Sequence, residues 1–142
     1  MDYAVKHGHP NFGQEAALNC GKSIIIPTMS HLMASPTLYH FLTDFCYYTN
    51  QHLSLFNFFD LESEKDGIFI RRNHNFMVPL ANDTMEAYTL TMLIELIRDY
   101  LQTNWHPSIV WLSAKQATDE FKRYLAKTHL FTAIVINSGS IN

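Results

Sequence analysis

From Leu38 onward apolar residues recur every three or four positions: Leu38, Phe41, Leu42, Phe45 and Tyr48 make one helical face, with Tyr47 opposite. Ser35-Pro36-Thr37 precedes them, an N-cap hydroxyl followed by proline for the first helical position. Thr49 prolongs the stripe with a polar residue. A longer stripe of Met85, Tyr88, Met92, Leu93, Leu96, Ile97, Tyr100 and Leu101 spans about five turns. Its opening, Asp83-Thr84-Met85-Glu86, is a capping-box pattern with Asp in place of Ser/Thr. Asn104, Trp105 and the His106-Pro107 step close it. Phe12 to Cys20 is a shorter helical stretch, with Phe12, Ala16 and Cys20 on one stripe and Gly21 as its C-cap.

Between the two long stripes the pattern changes to a hairpin. Leu53 to Leu61 and Ile68-Phe69-Ile70 flank Glu64-Lys65-Asp66-Gly67, a turn carrying the Asp-Gly dipeptide. Asn75 to Val78 is read as a further short strand. Ile109-Val110-Trp111-Leu112 is a strand, Thr118 to Thr128 a short amphipathic helix, and Leu130 to Ile136 a last β-branched strand. This order predicts an α+β fold, helices packed on a small, largely antiparallel sheet in a single domain. Residues 1–11, with Lys6-His7-Gly8-His9-Pro10-Asn11, are read as a flexible N-terminal lead-in to a domain over 12–142.

Composition narrows the function classes. In 142 residues, 47% are hydrophobic and 16% charged, enough apolar material for a core without a disulfide or metal staple. Ten Lys+Arg against thirteen Asp+Glu leave a net charge of −3, which argues against a DNA-gripping surface. No apolar run reaches the length of a membrane span. The start, Met1-Asp2-Tyr3-Ala4-Val5-Lys6-His7, lacks the pattern of a signal peptide. Cys20 and Cys46 have no paired spacing, so a reducing cytoplasm is the expected location.

Candidate chemistry is sparse. The eight histidines are scattered and include no His-Glu-x-x-His run; His7/His9 and His40/Asp44 are the best local pairs, and no metal is expected. Glu62-x-Glu64-x-Asp66-Gly67 imitates half a calcium loop, but Asn73 stands where the bidentate carboxylate belongs. Gly21-Lys22-Ser23 copies the end of a phosphate-binding loop without its leading glycine. Ser138-Gly139-Ser140 lacks the glycines of a nucleophile elbow. Cys46 reads as a small buried thiol, and Lys115, Lys122, Arg123 and Lys127 as a solvated basic face. No catalytic residues and no cofactor are assigned, which points away from an enzyme.

The aromatics carry the ligand-site expectation. Phe45, Tyr48, Phe56, Phe58, Tyr88, Met92 and Tyr100 can point into one interior between the two long helices and the hairpin. Most of these are ordinary core residues, but buried tyrosine hydroxyls need partners, and several together suit an apolar pocket with polar anchors.

Phe12-Gly13, then Ser35-Pro36-Thr37-Leu38 opening a helix to Tyr48, the hairpin, the long helix, Trp105-His106-Pro107 and Ile109-Val110-Trp111-Leu112 form an ordered set. With Asp119 to Tyr124 and Thr132 to Asn142, this set resembles the N-terminal, arabinose-binding-like domain of AraC/XylS-type bacterial transcription regulators, from about Asn11 to Asn142. Lys127-Thr128-His129-Leu130 departs from the family's Gly-x-Pro-Val-like step. The resemblance implies an effector-sensing domain that forms a homodimer, answers to a small molecule of unspecified identity, and acts on DNA only through a C-terminal helix-turn-helix half absent from this chain. Two alternatives stand beside it: a dimerisation domain without ligand, and a stand-alone small-ligand carrier.

Overall fold

The computed structural model describes residues 7–21, 23, 27–53, 57–65, 67–74, 82–112, 118–125, 129–132 and 138–141. In chain order these form helix α1 (Phe12–Ala16), α2 (Leu38–Tyr48), strands β1 (Asn57–Glu64) and β2 (Gly67–His74), helix α3 (Asn82–Leu101), β3 (Ile109–Leu112), α4 (Asp119–Tyr124), β4 (His129–Thr132) and β5 (Ser138–Ile141). The class is α+β. One sheet runs in the order β1-β2-β5-β3-β4. Every pairing is antiparallel except β3 with β4, which α4 connects as a parallel crossover. The proposed strand at Asn75 to Val78 lies outside the described residues.

The hairpin is built as its sequence demands. Glu64 pairs with Gly67, leaving a two-residue turn. Gly67 has a φ of 151°, a value that costs a glycine little. β1 is the edge strand, and its free side is held by Asn50, just past α2. The Phe59 amide donates to Asn50 Oδ1 at 2.9 Å, and Asn50 Nδ2 donates to the Phe59 carbonyl at 3.0 Å. One side-chain amide thus stands in for a neighbouring strand.

Helix α2 buries Phe41, Leu42, Phe45 and Cys46, and leaves Tyr47 outside at 67% exposure, as its stripe predicts. Its start differs from the sequence reading. Thr37, not Ser35, is the N-cap; its hydroxyl accepts the His40 amide at 3.2 Å. The Ser35 carbonyl instead accepts the Tyr100 hydroxyl at 2.7 Å, tying this corner to α3. Thr49 is buried because its hydroxyl donates back to the Phe45 carbonyl at 2.8 Å.

The long helix departs further. It already includes Asn82, so Asp83 lies in its first turn and is not its cap. It ends at Leu101, before the Asn104-to-Pro107 stop, because Gln102 turns left-handed with a φ of 53° and donates Nε2 to the Asp99 carbonyl at 2.6 Å. Burial extends beyond the expected stripe: Glu86, Thr89, Thr91 and Glu95 are buried, whereas Met85, Tyr88 and Met92 are half-buried. The cause is that α3 is covered twice, by the sheet and by α1. Helix α1 likewise buries Gly13 and Gln14, with Ala17 just past its end, in place of the Phe12 and Ala16 stripe.

β5 is the largest difference. Ser138 to Ile141, which lies beyond the last strand expected from sequence, is the central strand, paired with β2 on one side and β3 on the other. Pairing partners on both sides override the poor strand propensity of Ser-Gly-Ser.

Two apolar clusters fill the space between helices and sheet. One gathers Phe41, Leu42, Phe45, Phe59, Ile70, Leu93, Leu96 and Ile97 with Met29 and Leu32. The other gathers Ile94, Val110, Leu112, Phe121 and Leu125. Trp105 packs against both.

Candidate functional site

The seam between the two clusters is not filled. A cavity of about 50 Å³ lies there, partly open to the exterior, between α3 on one side and the inner face of the sheet on the other. Phe59, Ile70, Leu93, Ile94, Ile97, Val110 and Leu112 supply its apolar wall, together with Trp105 and Pro107.

Alternation along the strands places two of the wall residues on one face of the sheet. Ile70 pairs with Gly139, and Gly139 pairs in turn with Val110, so these three positions share one face of the sheet. Ile70 and Val110 are buried at 4% and 1% exposure and line the cavity. The position between them is a glycine, which contributes no side chain to that face.

Three polar residues interrupt the wall: Arg72 of β2, and Glu86 and Thr89 from the first half of α3. All three are buried. Burial pushes the Arg72 guanidinium down from its ordinary value to about 10, and the Glu86 carboxylate works against that loss. Arg72 therefore remains cationic at neutral pH. A buried charge beside an opposite one, in an otherwise apolar cleft, is the arrangement small-ligand sites use to fix orientation.

Trp105 is tied to α3. Arg98 Nε donates to the Trp105 carbonyl at 2.6 Å, while its Nη1 donates to Glu95 Oε1 at 2.9 Å. The Tyr124 hydroxyl donates to the same Glu95 oxygen at 2.9 Å, and the Arg98 guanidinium lies 5.2 Å from the centre of the Tyr124 ring. Burial, with Glu95 next, raises the Tyr124 phenol well above its ordinary value. Trp105, α3 and α4 are thus joined through one partly buried polar cluster.

The aromatic set expected from sequence is distributed differently. Phe45 is buried in the first cluster, its ring 5.3 Å from that of Phe59. Tyr48 is half-buried between His31 and His52, with centroid distances of 5.0 and 4.9 Å. Tyr100 stacks on Phe41 at 4.5 Å and bonds Ser35. Phe45, Tyr48 and Tyr100 therefore meet around the same cluster. Tyr88 and Met92 are half-buried on α3. Phe56 and the Phe58 side chain lie outside the described residues. None of the described members of this set is in the cavity wall.

Other candidates resolve simply. Glu62 is held by Arg71 in a bidentate pair at 3.0 and 3.2 Å across the hairpin, so the calcium-like spacing is strand pairing. Cys46 is buried, and desolvation with a contribution from Asp60 pushes its thiol up to about 12. Among the described residues no group of three His, Cys, Asp or Glu is placed to hold a metal ion. Among them, too, no helix is long and apolar enough to cross a membrane. No protein-family model matches the chain, and no curated protein matches it either.

Proposed function

We propose that this chain is a small-molecule-sensing domain of the AraC/XylS regulator type, taking its effector in the cleft between α3 and the sheet. The observation that carries the reading is the cleft itself: an unfilled seam between two packed clusters, with Arg72, Glu86 and Thr89 set into an apolar wall. An occupant there touches both halves of the core at once. It also touches Trp105, which Arg98 connects to α4. Binding is thereby coupled to the relative position of α3, α4 and the Trp105 turn, the kind of two-state element that an effector can bias. Homodimerisation and control of a C-terminal DNA-binding half belong to the same proposal.

The test is a titration of small metabolites into the isotope-labelled chain, followed by backbone amide shifts. Hits that move the amides of residues 86–97 and 105–112 support the sensing role; no hit at millimolar concentration overturns it. Reading the gene past the Asn142 codon tests the regulator part. Two helix-turn-helix units in frame support it, and a frame without them removes it.

A further inference from the structure

Helix α2 turns outward a face that the cleft does not use. Tyr47 is 67% exposed and Tyr39 46%; with Phe12 they are the exposed large apolar side chains among the described residues. Together with Thr43 they stand at every fourth position, so the three share one stripe of the helix. Phe41 and Phe45 alternate with them in sequence and are fully buried on the opposite side. Core packing accounts for the phenylalanines and gives the tyrosines no role.

The stripe reads the same in both directions. Tyr39-x-Phe41-x-Thr43-x-Phe45-x-Tyr47 is symmetric about Thr43. Laid antiparallel on a second copy of itself, α2 sets Tyr39 level with the partner's Tyr47 and Thr43 against the partner's Thr43. Such self-complementarity is what a two-fold interface requires, and an unrelated partner has no need of it. The centre also suits burial. Thr43 is small, and its hydroxyl already donates to the Tyr39 carbonyl at 2.8 Å, so covering it strands no donor. The tyrosines supply broad apolar rings whose hydroxyls stay in water at the rim.

The polar residues beside the stripe match in the same arrangement. His40 and Asp44 are exposed, one turn apart on the same flank of α2. Thr37 Oγ1 lies 2.6 Å from His40 Nδ1, which holds the ring and leaves Nε2 for another group. A two-fold axis at Thr43 puts His40 on the flank that carries the partner's Asp44, about 3 Å apart in height. An imidazole N–H then meets a carboxylate twice, once in each half of the contact.

We infer that the Tyr39–Thr43–Tyr47 face of α2 is the docking surface for a second copy of this chain, packed antiparallel about a two-fold axis at Thr43, with His40 against the partner's Asp44. The inference rests on the homodimer part of the function proposed above and is independent of the cleft. The helix has 11 residues, about 16 Å of contact, which is small for an interface. The dimer is therefore weak and forms reversibly with concentration.

Sedimentation equilibrium of the intact chain, from about 10 µM to about 1 mM, tests this. A monomer–dimer equilibrium within that range is expected. Tyr39→Ala and Tyr47→Ala are each expected to weaken it at least about tenfold. Both side chains are exposed, so neither change opens the core, and unaltered circular dichroism checks the fold. Asp44→Lys and His40→Glu are each expected to weaken the dimer, and the two combined, which exchange the charges, to restore it. Thr43→Cys is expected to give a disulfide-linked dimer on mild oxidation, whereas Lys122→Cys, exposed on α4, is not. A chain still monomeric at about 1 mM overturns the inference and the homodimer part of the proposed function together. A dimer that withstands Tyr39→Ala and Tyr47→Ala overturns the inference alone, because dimerisation then uses another surface.

Discussion

Arg72 of β2 and Glu86 of α3 are both buried in the wall of one cleft, and the carboxylate of Glu86 opposes the loss of charge that burial imposes on the guanidinium. The attraction links the hairpin to the first turns of the long helix, and replacing either residue removes a charge that favours the charged form of the other. Arg72→Met or Glu86→Leu alone is expected to cost about 3–5 kcal/mol, whereas the double substitution costs much less than the sum. Urea denaturation of the three variants checks this; additive losses would mean the two groups act independently.

The cap of α2 separates two readings of Ser35-Pro36-Thr37. The Thr37 hydroxyl accepts the His40 amide, while Ser35 contributes its backbone carbonyl to Tyr100. Thr37→Ala is expected to cost about 1 kcal/mol and Ser35→Ala close to nothing. Chemical denaturation distinguishes them, and the reverse order would restore Ser35 as the cap.

Tyr124 ties α4 to the long helix through Glu95. Tyr124→Phe keeps the ring over Arg98 and removes the donor, and is expected to cost about 1.5–3 kcal/mol, as for a hydrogen bond to a charged group. Faster hydrogen exchange in residues 119–125 accompanies the loss if α4 is held from this point. An unchanged denaturation midpoint would contradict the assignment.

Cys46 gives a pH signature. Its thiol titrates at about 12 in the folded chain against an ordinary 9.0, because burial disfavours the thiolate. Below pH 9 both states carry the proton, and the stability from the buried thiol is fully present. As pH rises from 9 toward 12 the unfolded chain loses its proton first, so the folded state binds more protons and stability falls. The slope reaches about 1.4 kcal/mol per pH unit. The stability advantage of the native chain over Cys46→Ala is therefore expected to shrink between about pH 9 and pH 12, measured by urea denaturation.

How far the sequence disclosed this arrangement depends on the range of each signal. Leu38 to Tyr48 and the Asp66-Gly67 turn are local signals, and α2 and the hairpin follow them closely. The Tyr48 and Tyr100 candidates are legible as inward-facing, since helical period reports a face. It does not report which gap between elements stays empty. The cleft draws on β1, β2, α3 and β3, residues far apart in sequence, and Arg72 and Glu86 obey no apolar period. Glu86 is buried facing the sheet and Glu95 beneath Tyr124 of α4, contacts that the pattern of α3 alone does not reveal. Ser138 to Ile141 carries almost no strand signal of its own. Its place is fixed by unpaired edges on β2 and β3 that become visible only when the sheet is assembled.

That place has a consequence for the order of assembly during synthesis. Ile70 and its partner Gly139 are separated by about half the chain, and β5 is the last of the described strands to leave the ribosome. Before it does, the β1–β2 hairpin and the β3–α4–β4 crossover have no strand joining them, and each shows an open edge. The sheet closes only when Ser138–Ile141 slides between them as a keystone, a long-range step of the kind that slows folding. Until β5 emerges, the hairpin and the crossover are joined through α3 and Trp105, which pack against both clusters, and not through the sheet.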